Sequence, residues 1–467
     1  MPRSPTLPIM ARQPTEAASD PLAAFLRAAT VPREHGHTTG TLTEAETIRT
    51  AHPEVATATM YSAAVLGDEG TLRRFLARDP ASATAAGGPY QWNPLTCLCF
   101  SRYLRLDRSR SEGFMGAARA LLDAGVDANS GWFEESHQPA PAWESVLYGA
   151  AGIAHHAELT RLLVERGADV NDDEATYHTP EGYDNEALAV LVESGRLTPE
   201  SLAVMLIRKA DWHDFEGIKY LLEHGADPNR MSRWDFSPLH HALRRDNAIE
   251  NIEAMLDHGA DPTLGHPGNG RSAVSFAVRG GRRDVLELFE RRGIPLALTE
   301  VERLIAACAR GDQSAAHSIA AREPELVREL IAQGAPLLAE FSGTGNRDGV
   351  RLLLDLGVPV AAIFDPEDGY WGLAPGSTAL HVAAWRARSE VVKLLLERGA
   401  AVDARDGAGR TPLALAVRAC VDSYWTELRS PESVAALLAR GAAPDRAPFP
   451  CGYAEVDALL ERYRKAS

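Results

Sequence analysis

The stretch SPLHHALRRDN, residues 237–247, sets His240 beside His241, with Arg244, Arg245 and Asp246 just behind them. Imidazoles and carboxylates so close in sequence are the raw material of a metal site or an acid–base pair. Adjacent residues on a helix point roughly 100° apart, however, so two neighbouring imidazoles cannot chelate one ion together. The same geometry disqualifies His155 and His156. His35 and His37 would aim both rings one way on a strand, but no Cys or carboxylate run accompanies them in their polar loop. In DPEDGYWG, residues 365–372, Asp365, Glu367 and Asp368 lack the full calcium-loop pattern. The chain also has no phosphate-binding Gly-rich loop, no GxSxG elbow, and no Cys or Ser nucleophile with histidine support. The expectation is no catalytic residue, no metal and no cofactor.

Bulk properties narrow the class. The 467 residues carry a formal net charge of −16, which argues against a general nucleic-acid binder. Nothing resembles a run of eighteen apolar residues, so no membrane span is expected. Residues 1–19 have no apolar h-region and read as a disordered leader, with a bacterial cytoplasm as the expected location. Nearly all positive charge is arginine; the lysines are Lys209, Lys219, Lys393 and Lys465. The five cysteines (Cys97, Cys99, Cys308, Cys420 and Cys451) lack paired spacing, and buried reduced thiols are expected for those in apolar helical patterns.

Internal repetition is the strongest signal. LLDAGVDAN at 121, LLVERGADVN at 162, LLEHGADPN at 221, MLDHGADP at 255, LLLDLGVPV at 352, LLLERGAAVD at 394 and LLARGAAPD at 437 are copies of one segment. Apolar residues seven, four and three positions before each glycine (Ile218, Leu221 and Leu222; Val350, Leu353 and Leu354) share one helix face. The glycine then takes the left-handed conformation that ends the helix. A second signature follows: SPLHHAL at 237, SAVSFAV at 272, TALHVAA at 378 and TPLALAV at 411, with Ser or Thr placed as N-cap and Pro at the first helical position. A helix pair this short cannot bury its own apolar face, so neighbouring pairs must stack.

These residues closely resemble the ankyrin repeat family: Ser237-Pro238-Leu239-His240, Thr378-Ala379-Leu380-His381, Thr411-Pro412-Leu413, and the Gly-Ala-Asp triples at 167, 225 and 259. The resemblance covers roughly residues 58–467, about eleven units, with the copies ending at Gly195 and spanning 301–334 departing from the pattern. It implies an all-α solenoid of helix-turn-helix units with hairpin-like loops. It also implies that His240 and His381 are structural, hydrogen-bonding between adjacent repeats. The organisation read from the chain is a leader (1–19), an N-terminal helical cap (20–57), the array (58–445) and a C-terminal capping helix (446–467).

In such units the hairpin tips and the positions after the first helix's Ala pair face a concave groove. Those positions hold Phe100, Ser101, Trp212, Arg244, Arg245, Arg279, Arg310, Trp385, Arg386 and Arg418. Loops add Tyr90, Trp92, Trp132, Phe133, Trp143, Trp234, Phe236, Tyr370, Trp371, Tyr424 and Trp425. Arginine and tryptophan are enriched at binding hot spots, and guanidinium forks match carboxylates. The expected function is a protein–protein interaction module that takes an acidic protein or peptide. Arg244, Arg245, Arg279, Arg310 and Arg386 supply charge; Trp92, Trp234, Phe236, Trp371 and Trp385 supply apolar anchors. The alternative is an enzyme, or an enzyme-associated subunit, with a pocket built from the insertions at 130–145, 172–185 and 361–376, using His137, His178, Asp184 and Asp365.

Overall fold

A computed structural model describes residues 20–31, 40–135, 137, 140–365, 372–421 and 428–466. The leader, His35, His37, Trp371, Tyr424 and Trp425 lie outside the described residues. The chain divides into two units, Met1–Arg208 and Lys209–Ser467, each a stack of α-helix pairs. Within each, the all-α ankyrin-type solenoid expected from the repeats is what forms.

The helix Pro238–Arg244 shows the local logic. Ser237 is its N-cap, accepting from the His240 N–H at 3.4 Å, and Pro238 takes the first turn, where its missing N–H costs nothing. Leu239, Ala242 and Leu243 are buried. The antiparallel helix Ile249–Asp257 follows and buries Ile252 and Met255. Gly259 closes the unit at φ +86. A different capping device opens Glu300–Ala309, where Thr299 and Glu302 form a reciprocal box.

In the second unit Pro238–Arg244 packs on Ala273–Arg279, which meets both Glu300–Ala309 and Gly334–Thr344. Gly334–Thr344 in turn carries Ala379–Trp385, and that helix carries Pro412–Val421. The copy at 300–333 is the irregular one: where other repeats extend a loop, it has a further helix, Pro324–Ala332. The helix Ala454–Ala466 closes the described chain, packed against Glu432–Ala439. In the first unit Pro21–Ala29 and Thr43–Ala51 pack together, and Pro21–Ala29 rests on Met60–Leu66.

The loops are kept in register by asparagines. Asn129 donates to the Gly167 carbonyl (3.2 Å) and accepts from the Asp169 N–H (2.8 Å). Asn229 repeats the pattern with Gly259 (2.8 Å) and Asp261 (2.7 Å) in the second unit. The Asn that ends GVDAN and GADPN is thus a two-point tie to the next loop. One loop grows into a true β-hairpin, Gly131–Glu134 against Ala142–Ser145.

The turn joining the two helices of a unit needs one residue in the left-handed region. Glycine supplies it at Gly281, where a Cβ would meet the Phe341 ring at 2.6 Å. Asp246 and Ala387 occupy the same turn at φ +55. An L-residue there costs roughly 1–2 kcal/mol, and Ala387 has no side-chain bond to offset it. Ala387→Gly is therefore expected to stabilise the second unit by about 0.5–1 kcal/mol, after the entropy glycine adds to the unfolded chain. Gly281→Ala is expected to destabilise it. Chemical denaturation of the two variants against the parent protein checks both signs.

Candidate functional site

The arginines aligned by the repeat fall into two groups. Arg245 and Arg386, expected at the groove surface, are buried instead, at 9% and 4% exposure. Arg245 donates from Nε to Asp211 Oδ1 at 2.9 Å, and His241 Nε2 lies 2.8 Å from the same oxygen. His241 thus replaces an apolar core residue because a buried carboxylate from the preceding repeat meets it. Burial pushes its imidazole below the ordinary value, against the pull of Asp211.

Arg386 reaches Asp246, as do Arg388 (3.0 Å) and Arg282 (3.2 Å). Arg282 also pairs with Asp284 at 2.6 Å. One carboxylate therefore joins guanidiniums from residues 282, 386 and 388. Burial alone would raise the Asp246 carboxyl, but Arg386, Arg282 and Arg388 hold it below the usual carboxylate range. Sequence reasoning missed this hub. Its signal was an aspartate at a turn position that is glycine in other copies, which directs a charged Cβ substituent inward.

The remaining arginines sit higher. Arg244 and Arg279 occupy the last turn of neighbouring first helices, Arg418 holds the matching position further along the stack, and all three are half-buried. The Arg244 guanidinium lies 4.8 Å over the Phe236 ring, and Arg418 lies 4.8 Å over Trp385. Arg279 donates to Gln333 Oε1 at 2.6 Å. Burial lowers its guanidinium from the ordinary value, and the nearby charge of Arg271, which the repeat pattern did not single out, adds to this. Arg310 turns toward the second helix of the preceding copy and pairs with Glu290 at 2.5 Å.

The aromatic anchors divide in the same way. Trp234 is exposed and Phe236 half-buried, whereas Trp385 is buried among Ala339, Leu373, Val382, Leu415 and Ala419. Trp92, expected on a rim, is buried in the first unit between Tyr90 (4.7 Å) and Trp132 (5.1 Å). Phe100 and Ser101 are core residues as well. Large rings near a loop base serve as packing between neighbouring loops, which periodicity cannot tell from display.

His381 is the structural histidine that the resemblance implies. Its Nδ1 meets Thr378 Oγ1 (2.9 Å), and its Nε2 lies 3.1 Å and 3.2 Å from the Ala404 and Arg410 carbonyls of the next repeat. His240 makes the equivalent contact to Ser237 Oγ at 2.7 Å. Buried Cys97 and Cys308 are pushed up to about 12, so both are inert thiols at neutral pH.

Two insertions proposed for an enzymatic pocket do converge. Glu174 lies 3.2 Å from His178 Nε2 and 3.7 Å from His137 Nε2. His178 Nδ1 meets Glu181 at 2.9 Å, and Arg208 meets the same glutamate at 2.8 Å. Asp184 stands at an exposed turn, accepting from the Glu186 N–H (3.1 Å), and Asp365 belongs to the other unit. Burial would lower the His178 imidazole, but its hydrogen bonds to Glu174 and Glu181 raise it. The Tyr148 ring lies 5.1 Å from the imidazole, and a Cβ on Gly152 would meet the His178 Cβ at 2.8 Å. The ring is a packed, ion-paired junction of loop and helix. Among the described residues no group of three or more His, Cys, Asp or Glu could hold a metal ion, and no helix is long and apolar enough to cross a membrane.

Family models for ankyrin repeats match residues 205–296 (three copies) and 373–416 (many copies). The chain carries ankyrin repeats over these residues. It is 36% identical over 118 residues to Protein PhlB of Serratia liquefaciens, a quarter of this chain and 47% of that protein. It is 38% identical over 84 residues to Serine/threonine-protein kinase 12 of Arabidopsis thaliana, 18% of this chain and 16% of that one. The chain thus covers about half of one relative's length and a small part of the other's.

Two predictions follow from these clusters. Asp246→Asn leaves three guanidiniums around a neutral side chain and is expected to cost about 3–5 kcal/mol. Because the carboxyl is depressed in the folded state, its contribution is present above the ordinary carboxylate value and lost as pH falls through the depressed one. The gap between parent and variant, read by urea denaturation, should therefore shrink in acid. His178 has the opposite sign. Its raised imidazole stabilises the fold below its ordinary value, and that contribution is lost as pH rises through the elevated one. His178→Gln should destabilise the first unit more at pH about 6 than at pH about 9.

Proposed function

We infer that this chain is a protein–protein interaction module, as ankyrin repeats in general are. We propose that the second unit binds an acidic segment of a partner protein along the face built by Arg244, Arg279 and Arg418. The observation that carries this reading is the recurrence of a half-buried arginine in the last turn of three first helices, two of them stacked on aromatic rings. A guanidinium held over a ring is preorganised and still offers its N–H edge to a carboxylate. Arg271 adds charge beside Arg279, and exposed Trp234 adds an apolar anchor at the loop end. Arg245, Arg386 and Trp385 support the site from beneath. Arg310 and Trp92 are not part of it.

The enzymatic alternative is favoured by one observation, the meeting of His137 and His178 at Glu174. Engagement of both His178 ring nitrogens by carboxylates counts against it, since a general base needs a nitrogen free for the substrate proton.

The binding reading is tested with a fluorescent peptide of alternating glutamate and leucine. Reversing Arg244, Arg279 and Arg418 together to Glu is expected to weaken its binding by about a hundredfold, at roughly 1 kcal/mol per lost charge contact. Thermal unfolding should be retained, because the Asp211 and Asp246 ties are untouched. Unchanged affinity in the triple variant overturns the reading.

A further inference from the structure

In the hairpin Gly131–Glu134/Ala142–Ser145, side chains alternate between two faces. Trp132 and its cross-strand partner Glu144 face inward, where Glu144 is fully buried and the Trp132 indole packs against Trp92 and Phe100. Phe133 and Trp143, paired directly across the strands, face outward at 56% and 47% exposure. Burying this pair would have been the cheaper arrangement in water, since each ring is worth roughly 2 kcal/mol or more when covered. An inward-facing apolar set was available to the strand by a one-residue change of register. The two rings are instead presented on a ribbon whose other face is anchored to the repeat by Trp132 and Glu144.

The surrounding sequence is predominantly acidic. Residues 127–200 hold fifteen Asp and Glu, three Arg and no Lys. Those arginines are engaged elsewhere: Arg166 with Asp123 (2.8 Å), Arg161 with Glu193 (3.5 Å), and Arg196 on the Val164 and Ala168 carbonyls. At the loop edge Asp127, Glu135, Asp169 and Asp173 are exposed. Asn129 ties the loop of Asp127 to that of Asp169, which keeps these carboxylates on one edge together with the hairpin that begins at Gly131.

We infer that this finger is a second docking surface, and that its occupant is a basic segment of a partner protein bearing apolar side chains. An aromatic pair accepts both apolar contact and cation–π contact from arginine or lysine, and the exposed carboxylates supply the complementary field. The site is opposite in polarity to the arginine face of the second unit and stands independently of it.

The test uses the full chain and three fluorescein-labelled peptides of equal length: alternating arginine and leucine, arginine and serine, and glutamate and leucine. The arginine–leucine peptide is expected to bind, more weakly as salt is raised, and at least about tenfold more weakly to the Phe133→Ala, Trp143→Ala double variant. The arginine–serine peptide should bind less well than the arginine–leucine one, and the glutamate–leucine peptide should not respond to the double substitution. Both rings are exposed, so the variant should keep the parent's melting transition. Affinity unchanged in the double variant overturns the inference. So does a concentration-dependent dimer, seen by sedimentation, that the double variant abolishes, because the occupant would then be a second copy of this chain. The triple arginine reversal in the second unit should leave this binding unaltered, which separates the two surfaces.

Discussion

A seven-residue helix beside a nine-residue one has an apolar stripe on each and almost no interior. Every other feature of this chain depends on that shortage. The stripes must be covered by the next pair, so the residues at a contact are chosen for their fit to a neighbour thirty or more positions away. Leu239, Ala242, Ile252 and Met255 are buried in one such pair, and their partners lie in the pairs before and after. Polar residues obey the same rule: Asn229 satisfies the next loop's backbone, and His381 bridges to the next repeat's carbonyls.

Charge in the second unit is organised by depth. Buried guanidiniums at Arg245, Arg282 and Arg386 are balanced by Asp211 and Asp246, as they must be in a medium that penalises an unpaired ion. The half-buried ones at Arg244 and Arg418 rest on rings. Helix geometry makes the separation: Arg244 and Arg245 are neighbours in sequence yet roughly 100° apart around the axis, so one turns to Asp211 and the other to Phe236. A stretch that looks like one basic patch is thus a strut and a surface residue side by side.

The first unit handles its negative charge differently. His178 is held between Glu174 and Glu181, and Arg208 joins the same network, so several carboxylates are neutralised within a small volume. Asp172, near that network, is raised to about 6, chiefly by burial. The carboxylates of Asp127, Glu135, Asp169 and Asp173 are exposed at the loop edge. The aromatic pair of the hairpin stands beside them.

The repeat unit was legible in the chain because its determinants are local. An N-cap serine, a proline at the first helical position, a 3–4 apolar spacing and a glycine at the turn each act within a few residues, and together they impose helix, turn and helix. The structural histidine could likewise be assigned once the family resemblance was recognised. Which arginines face out could not be read in this way. Arg245 and Arg386 share a repeat position with the half-buried Arg310, and they are buried because Asp211 and Asp246 arrive from elsewhere in the stack. Nor did composition separate Trp92, which is packed under a neighbouring loop, from Trp143, which is displayed. The sequence by itself determined the secondary elements and their pairing, since those follow from local sterics and periodicity. Only the tertiary structure decided which charges and rings are spent inside, because that depends on the distant partner each one meets.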